Sequence, residues 1–401
     1  MIVPNPQLWP DGASIDARGH LVIGGCDTVA LARSYGTPLY LLDEATFRGS
    51  CRAYRAALAR HYPGTSNAHY ASKALLNSAV AQLVAEEGLG LDVVSGGELF
   101  VALRAGFPAE RIHLHGNAKP RAELEQALAA GIGKIVVDTL DELDLLAQLT
   151  ANHATPQAIL LRLSPDIAAD THAHMQTGSA VSKFGLPLAA LDAAATRIAR
   201  APGLRLAGLH THLGSQILDY APITQAVGVL LDCATRLRDE HQIVVDEISP
   251  GGGLGTPYTA DQPTPDVDAY ISAITQAMRA GCAARGFPPL RVVVEPGRSI
   301  IARAGVALYE ILATKPLPRD GDRAAVSQPP SPIPHRAICM SMAAWPIIFG
   351  PHCMGHAILR CWRTARVRRP TSWCISLGAT ANRVMCSSAR SSCRALRWAR
   401  S

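Results

Sequence analysis

From Arg323 to Ser401 the chain contains no Asp and no Glu; all 32 acidic residues lie before that point. Globular sequences normally carry both signs, at about a quarter of all residues. The last 79 residues therefore do not read as an ordinary globular segment. The same stretch has no Lys, yet it holds 12 Arg, six of the ten Cys and four of the five Trp. It carries +12 and leaves the preceding body at −6, from 26 basic and 32 acidic residues. The pI of 8.8 belongs to the tail, and an acidic body argues against a nucleic-acid binder. Lysine is scarce throughout, with only Lys73, Lys119, Lys134, Lys183 and Lys315. The body cysteines, Cys26, Cys51, Cys233 and Cys282, form no CxxC, which excludes the common zinc and dithiol motifs and fits a reducing cytoplasm. The tail cysteines lack zinc-ligand spacing too. No apolar run reaches the roughly 18 residues of a membrane span. The N-terminal MIVPNPQLWPDG has no basic region followed by an apolar one, so no secretory signal is expected.

What is present is a rhythm. From about residue 66, short β-rich segments alternate with Ala/Leu-rich helical ones. The β segments are NAHYASK, LDVVS, IHLHG, KIVVD, AILLRL, LAGLHTH, EISPGGG and RVVVEP; ALLNSAVAQLVAEEG and RAELEQALAAG are typical of the amphipathic stretches between them. Eight such units predict an α/β fold, a (β/α)8 TIM-like barrel. Polar or glycine residues close several strands: Lys73, Ser95, His115, Arg162, His212, Gly251 to Gly253 and Glu295. Active sites of such barrels lie at that face. Residues 13–45 break the rhythm, with LVIGG and PLYLLDE split by the helical TVALARSYG. The expected organisation is residues 1–40 as the N-terminal part of a β-rich second domain, 41–315 as the barrel, and 316–401 as the anomalous tail. The long loop PDIAADTHAHMQTGSAVSKFG, after the fifth strand, has a length that points to function.

Individual residues carry the chemistry. Lys73, at the end of the first barrel strand, can form a Schiff base with a carbonyl cofactor. GGGLG, Gly251 to Gly255, lets backbone N–H groups converge on a phosphate, or is simply a turn. Glu295 follows three valines and needs a cationic partner, either a pyridinium nitrogen or Arg298. His210 and His212 in GLHTHLGSQ are read as facing opposite sides of their strand, one at the mouth and one packed within. Gly214 and Ser215 add phosphate donors. His172 and His174 have only Asp166 and Asp170 as nearby carboxylates, so no metal site is assigned.

Taken in order, YGTPLYLLDE, HYASKAL, LDVVSGGEL, HGNAKP, IVVDTLDEL, SKFGL, GLHTHLGSQI, GGGLG and EPGRSI resemble the fold-type III pyridoxal-phosphate decarboxylases, and among them the diaminopimelate decarboxylase family. The resemblance covers roughly residues 15–317; HGNAKP departs slightly from the usual HGNNK. It implies that Lys73 binds pyridoxal 5'-phosphate covalently and that His212 stacks on its ring. It also implies that Ser215 and Gly251, Gly252 and Gly253 hold the phosphate, that Glu295 pairs with the ring nitrogen, and that Arg298 binds phosphate or the substrate carboxylate. Asp92, Arg162 and Lys183 would add polar contacts. The implied reaction releases CO2 from meso-2,6-diaminopimelate to give L-lysine, in a cytoplasmic homodimer with a small amino-acid substrate and no nucleic-acid or membrane partner. The alternatives are a decarboxylase of ornithine, arginine or a related amino acid, and a catalytically dead cofactor- or partner-binding barrel. A nucleic-acid binder using the basic tail lacks any supporting motif.

The resemblance also implies a C-terminal β domain with DGGM…RPALY and CESGD stretches, the cysteine serving the neighbouring subunit. The chain has neither stretch. Reading the third base of each codon with the first two of the next, SMAAWPIIFGPHCMGH from Ser341 can encode DGGMADHLRPALYGA. Met342–Ala343 must then give Gly, and Trp345–Pro346 must give Ala. In the same frame, WCISLGATANRVMCS from Trp373 can encode VHIAGRYCESGDVL. A frame change between about Lys315 and Ser341 is the expectation. Residues 1–40 are accordingly expected to lack strand partners, and the chain to have little decarboxylase activity.

Overall fold

The computed structural model describes residues 2–167 and 183–312, with the backbone of Met340–Ser341 and Met385–Cys386. His172, His174 and the frame change in the tail lie outside the described residues. Two compact units emerge. One comprises Met1–Phe47, Pro257–Pro263 and the described residues from Ile301 onward; the other comprises Arg48–Thr256 and Thr264–Ile300.

The first unit begins with three short antiparallel strands, β1 (Ser14–Ile15), β2 (Leu21–Ile23) and β3 (Cys26–Asp27). Helix α1 (Thr28–Tyr35) follows, and Asp27 caps it by accepting the Val29 and Ala30 N–H groups. Strand β4 (Leu39–Asp43) comes next. Its partners are antiparallel β14 (Gly305–Leu308) and parallel β16 (Met385–Cys386), while β15 (Met340–Ser341) extends the sheet beyond β14. The N-terminal strands are thus not left unpaired as expected: β1 to β3 bond to one another, and β4 finds β14 just past the barrel sequence. Ile23, Cys26, Leu31, Ala32, Leu39, Leu41, Val306 and Leu308 form the core of this unit.

The second unit is a closed ring of eight parallel strands. They are β5 (Ser66–Ala71), β6 (Gly90–Val93), β7 (Ile112–Leu114), β8 (Lys134–Val137), β9 (Gln157–Ser164), β11 (Leu204–His210), β12 (Glu247–Gly251) and β13 (Arg291–Val294). Pairing runs around the ring in that order, and β13 returns to β5. A short strand β10 (Leu186–Pro187) lies beside β9. Helices α2 (Glu44–His61), α3 (Ser78–Glu86), α4 (Gly96–Arg104), α5 (Arg121–Ala129), α6 (Leu140–Thr150), α7 (Leu191–Ala199), α8 (Ala221–His241), α9 (Val267–Ala284) and the short α10 (Arg298–Ile301) alternate with the strands. All eight strand segments read from the sequence are present.

Local chemistry starts the helices where the strands end. Asn77 caps α3, Ser95 caps α4 and Thr139 caps α6. The last two belong to S/T-x-x-E sequences. The Glu98 carboxylate reaches back to the Val94 N–H (2.8 Å) and that of Glu142 to the Asp138 N–H (3.3 Å). Lys119 of HGNAKP fastens the loop after β7: its ammonium meets Glu142 at 2.7 Å and donates to the carbonyls of Gly116 and Val136. The outward residues Leu91, Val93, Ile112 and Leu114 are fully buried, as expected where both faces of a parallel sheet are covered. Among the described residues no helix is long and apolar enough to cross a membrane.

The barrel interior is less uniform. Val136, Leu160 and Ala207 pack together. Beside this apolar layer the strands direct His69, Asp92, His113, Lys134, Arg162, His210, Glu247 and Ser249 inward, all but Lys134 buried. A register shift between Leu206 and Gly208 re-phases β11. Ala207 and His210, three residues apart, thereby serve the same face.

Candidate active site at the barrel mouth

The strand ends bring most of the sequence-predicted residues together. Lys73 sits in a single 3-10 turn, Ser72–Ala74, directly after β5. The preceding Ser72 hydroxyl donates to Glu98, which pins the turn to the start of α4. Lys73 is exposed to solvent. Protein nevertheless crowds it so closely that burial, then Arg162, pulls its pKa down, while Glu295, Asp92 and Glu98 act in the opposite sense. That balance raises the share of neutral amine, the nucleophilic form.

Glu295 follows β13 and is buried. Ser249 donates to its Oε1 at 2.6 Å, and His210 Nε2 lies 3.0 Å from its Oε2. Burial alone would raise its pKa, but the neighbouring His210 and His115 leave it below the usual carboxylate range. Its protein partner is therefore His210 with Ser249, not the Arg298 considered from the sequence. Arg298 Nε instead donates to Ser215 Oγ at 3.0 Å, and burial pushes the guanidinium pKa down to about 10.

His212 lies two residues beyond β11, and its Nδ1 accepts the Gly252 N–H at 3.3 Å. Burial, then Lys73 and Arg162, drives its pKa well below that of free histidine, so it is neutral at physiological pH. His210 and His212 were expected on opposite sides of the strand. Both instead turn to the barrel interior, as residues two apart in extended backbone do; they differ in depth.

The glycine run is required by close approach. A Cβ on Gly251 would meet the Thr211 carbonyl oxygen at 2.4 Å, one on Gly252 the Glu295 oxygen at 1.9 Å, and one on Gly253 the Gly214 oxygen at 2.5 Å. Gly251 and Gly253 also hold positive φ angles of 79° and 115°. Excluding side chains here lets the backbone itself form the strand ends, where the Gly251 N–H donates to Ser249 Oγ at 3.2 Å and the Gly252 N–H to His212.

Asp92, on β6, is buried against His69 Nδ1 (3.0 Å) and His115 Nε2 (3.4 Å). Burial opposes its ionisation, but His115 and His69 hold its pKa well below the ordinary range. Arg162 lies 3.8 Å from Asp138 Oδ1 and over the Phe184 ring, 4.7 Å from the centroid. Lys183 approaches the same ring from the exposed loop, at 5.1 Å, and no bond from it to the other site residues is among those described. The sequence reading left out His69, His113, Ser249 and Glu98. Its overlooked signal was histidine at alternate positions of otherwise apolar strands, as in IHLHG.

This donor set fits pyridoxal phosphate. It combines an amine of lowered pKa, a buried ionised carboxylate for a ring nitrogen, a neutral imidazole, a glycine backbone free of side chains, and a half-buried guanidinium. Fold and site together define a pyridoxal-phosphate-binding α/β barrel.

Comparison with known proteins gives the family. Residues 44–302 match the pyridoxal binding domain of the pyridoxal-dependent decarboxylases. The chain is 38% identical over 350 residues to the diaminopimelate decarboxylase of Synechocystis, covering 84% of this chain and 74% of that one. It is 40% identical over 303 residues to that of Bacillus subtilis, covering 75% and 69%. The crystal structure of diaminopimelate decarboxylase from M. jannaschii in complex with L-lysine superposes with a TM-score of 0.71 at 30% identity, covering 77% of this chain and 71% of that one. The chain belongs to the pyridoxal-dependent decarboxylase family.

Proposed function

We propose that the chain is a carbon–carbon lyase that removes CO2 from meso-2,6-diaminopimelate to leave L-lysine. The carrying observation is the buried Glu295, held by His210 and Ser249 on the same barrel face as Lys73. Relatives named for this activity support the substrate over ornithine or arginine.

The roles assigned to the residues are those the family resemblance implies, and the geometry supports them. Lys73 supplies the amine that anchors the cofactor. Glu295, ionised, would accept a hydrogen bond from the protonated ring nitrogen and so keep that proton on the ring. His212, fixed through Nδ1 by the Gly252 N–H, offers a flat uncharged face. Gly251 to Gly253, Ser215 and Arg298 would hold the phosphate, Arg298 being joined to Ser215 at 3.0 Å, or Arg298 would serve a substrate carboxylate. Asp92 and Arg162 fix the charge around the amine. Bound pyridoxal phosphate supplies the electron sink for the pair left when the carboxylate departs.

The tail bears on the reading. The relatives' site is taken to be finished by a C-terminal β domain and a second subunit, so we propose a homodimer for the chain in its restored frame and a cytoplasmic setting. The four described cysteines are buried thiols outside any disulfide, consistent with reducing conditions. Purified protein in both frames is assayed for CO2 release from diaminopimelate, ornithine and arginine. The expected result is turnover of diaminopimelate by the restored frame and little by the 401-residue chain. Glu295→Gln in the restored frame is expected to cost about 10²- to 10³-fold in kcat. Preference for ornithine or arginine would overturn the substrate, and ready turnover by the 401-residue chain would overturn the view that the tail is out of frame.

A further inference from the structure

Five buried side chains beneath the mouth form a continuous line. His69 Nδ1 meets Asp92 Oδ1 at 3.0 Å, and the same oxygen lies 3.4 Å from His115 Nε2. His115 Nε2 in turn lies 3.9 Å from Glu295 Oε1, and Glu295 Oε2 meets His210 Nε2 at 3.0 Å. Each residue comes from a different strand or strand end, and none is more than 9% exposed. Gly90 is part of the arrangement: a Cβ there would meet the His69 ring at 2.3 Å, so glycine makes room for the first member.

The centre of the line is the informative part. Each carboxylate has its own histidine, His69 for Asp92 and His210 for Glu295. His115 Nε2 faces both and has at most one proton to give. A proton there relieves the repulsion between two buried negative charges, whereas a bare lone pair would add to it. Drawing His115 toward Asp92 weakens its hold on Glu295, and the reverse. The other ionisable groups that act on His115 are His113 from its own strand, His210 from β11 and His212 just beyond β11.

We propose that His115 is a positioning residue that couples Asp92 to Glu295, so that His69, Asp92, His115, Glu295 and His210 change charge as one array. Through it the far side of the barrel sets the charge that Glu295 presents to the cofactor. This last step rests on the reading that Glu295 faces the ring nitrogen; the coupling itself does not.

The test is an NMR titration of the His210 imidazole in the isotope-labelled full chain without cofactor. His69→Gln is expected to shift the His210 midpoint by about one pH unit, although three residues of the line stand between them. In a His115→Gln background the same substitution is expected to leave the midpoint unmoved. An unchanged midpoint with His115 in place, or an equal shift in both backgrounds, overturns the coupling. Should His115→Gln fail to fold, Asp92→Asn cuts the line one residue earlier and must abolish the coupling equally. With pyridoxal phosphate added, His115→Gln is expected to move the pH midpoint of the bound cofactor's absorbance. An unmoved absorbance beside an intact cofactor-free coupling overturns the placement of Glu295 against the ring and leaves the array standing.

Discussion

The two units differ in how much charge their described residues bury. The first unit's apolar cluster includes Ile23, Cys26, Leu31, Leu39, Leu41, Val306 and Leu308, and among its described residues the buried acidic or basic groups are Asp43 and His20. The barrel buries Asp92, Glu247, Glu295, His113 and His210 as deeply as its valines. Apolar burial stabilises by transfer from water, whereas each buried charge costs desolvation that only a close partner offsets. A fold seeking stability alone would fill the barrel as it fills the first unit. The polar barrel interior is therefore tied to function, and the contrast can be broken by substitution.

The largest effect is expected at Lys134 and Glu247, paired at 2.9 Å with the Glu247 side chain fully buried. Lys134→Met leaves that carboxylate with Arg291 at 3.8 Å and is expected to cost about 3–5 kcal/mol in urea unfolding. Lys134→Met with Glu247→Leu is expected to recover most of it, because the uncompensated charge is gone. An unrecovered loss would mean that packing, and not charge, governs this layer. In the first unit Leu41→Ala is expected to cost about 2–4 kcal/mol from lost transfer and a residual cavity. No second substitution should rescue it except one that refills the volume.

A third difference concerns pH. His113, His210 and His212 are all held below the ordinary histidine pKa, mainly by burial. Their folded values lie below the unfolded one of about 6.5, so the unfolded chain takes up protons first as pH falls. Their contribution to stability is complete above that value and is lost progressively as pH drops toward the folded values. Each contributes a slope of about 1.4 kcal/mol per pH unit within that window. Unfolding measured at pH 7 and at pH 5.5 should show the loss, and His113→Asn should flatten the slope by about one third. An unaltered slope would remove His113 from the account.

How much of this could be read beforehand follows the same division. The eight strands were legible because short β-rich runs such as IVV and VVV alternate with amphipathic helical stretches. Lys73, Glu295 and the glycine run were legible because they close strands at the face where such barrels work. Of the two partners the sequence left open for Glu295, Arg298 bonds to Ser215 instead, since partnership across a barrel depends on strand order and stagger. The interior pairs stayed hidden for that reason. Lys134 and Glu247 are 113 residues apart, and nothing local in KIVVD or EISPGGG announces their contact. Gly90 and His69 are likewise meaningful only once β5 and β6 lie side by side.

The smallest effect sharpens the comparison most directly, because it keeps the chemistry and changes only the surroundings. Arg121 and Glu125 form an ion pair at 3.4 Å, four residues apart on α5, with about half of each side chain exposed. Water already solvates both charges, and holding two long side chains in one geometry costs entropy. Arg121→Ala is therefore expected to change unfolding free energy by less than about 0.5 kcal/mol, and added salt should erase even that. Lys134→Met removes the same kind of partner at a similar separation, yet should cost several times more and resist salt. If the two substitutions cost the same, burial would not set the value of a charge in this barrel, and the functional reading of its polar interior would lose its physical basis.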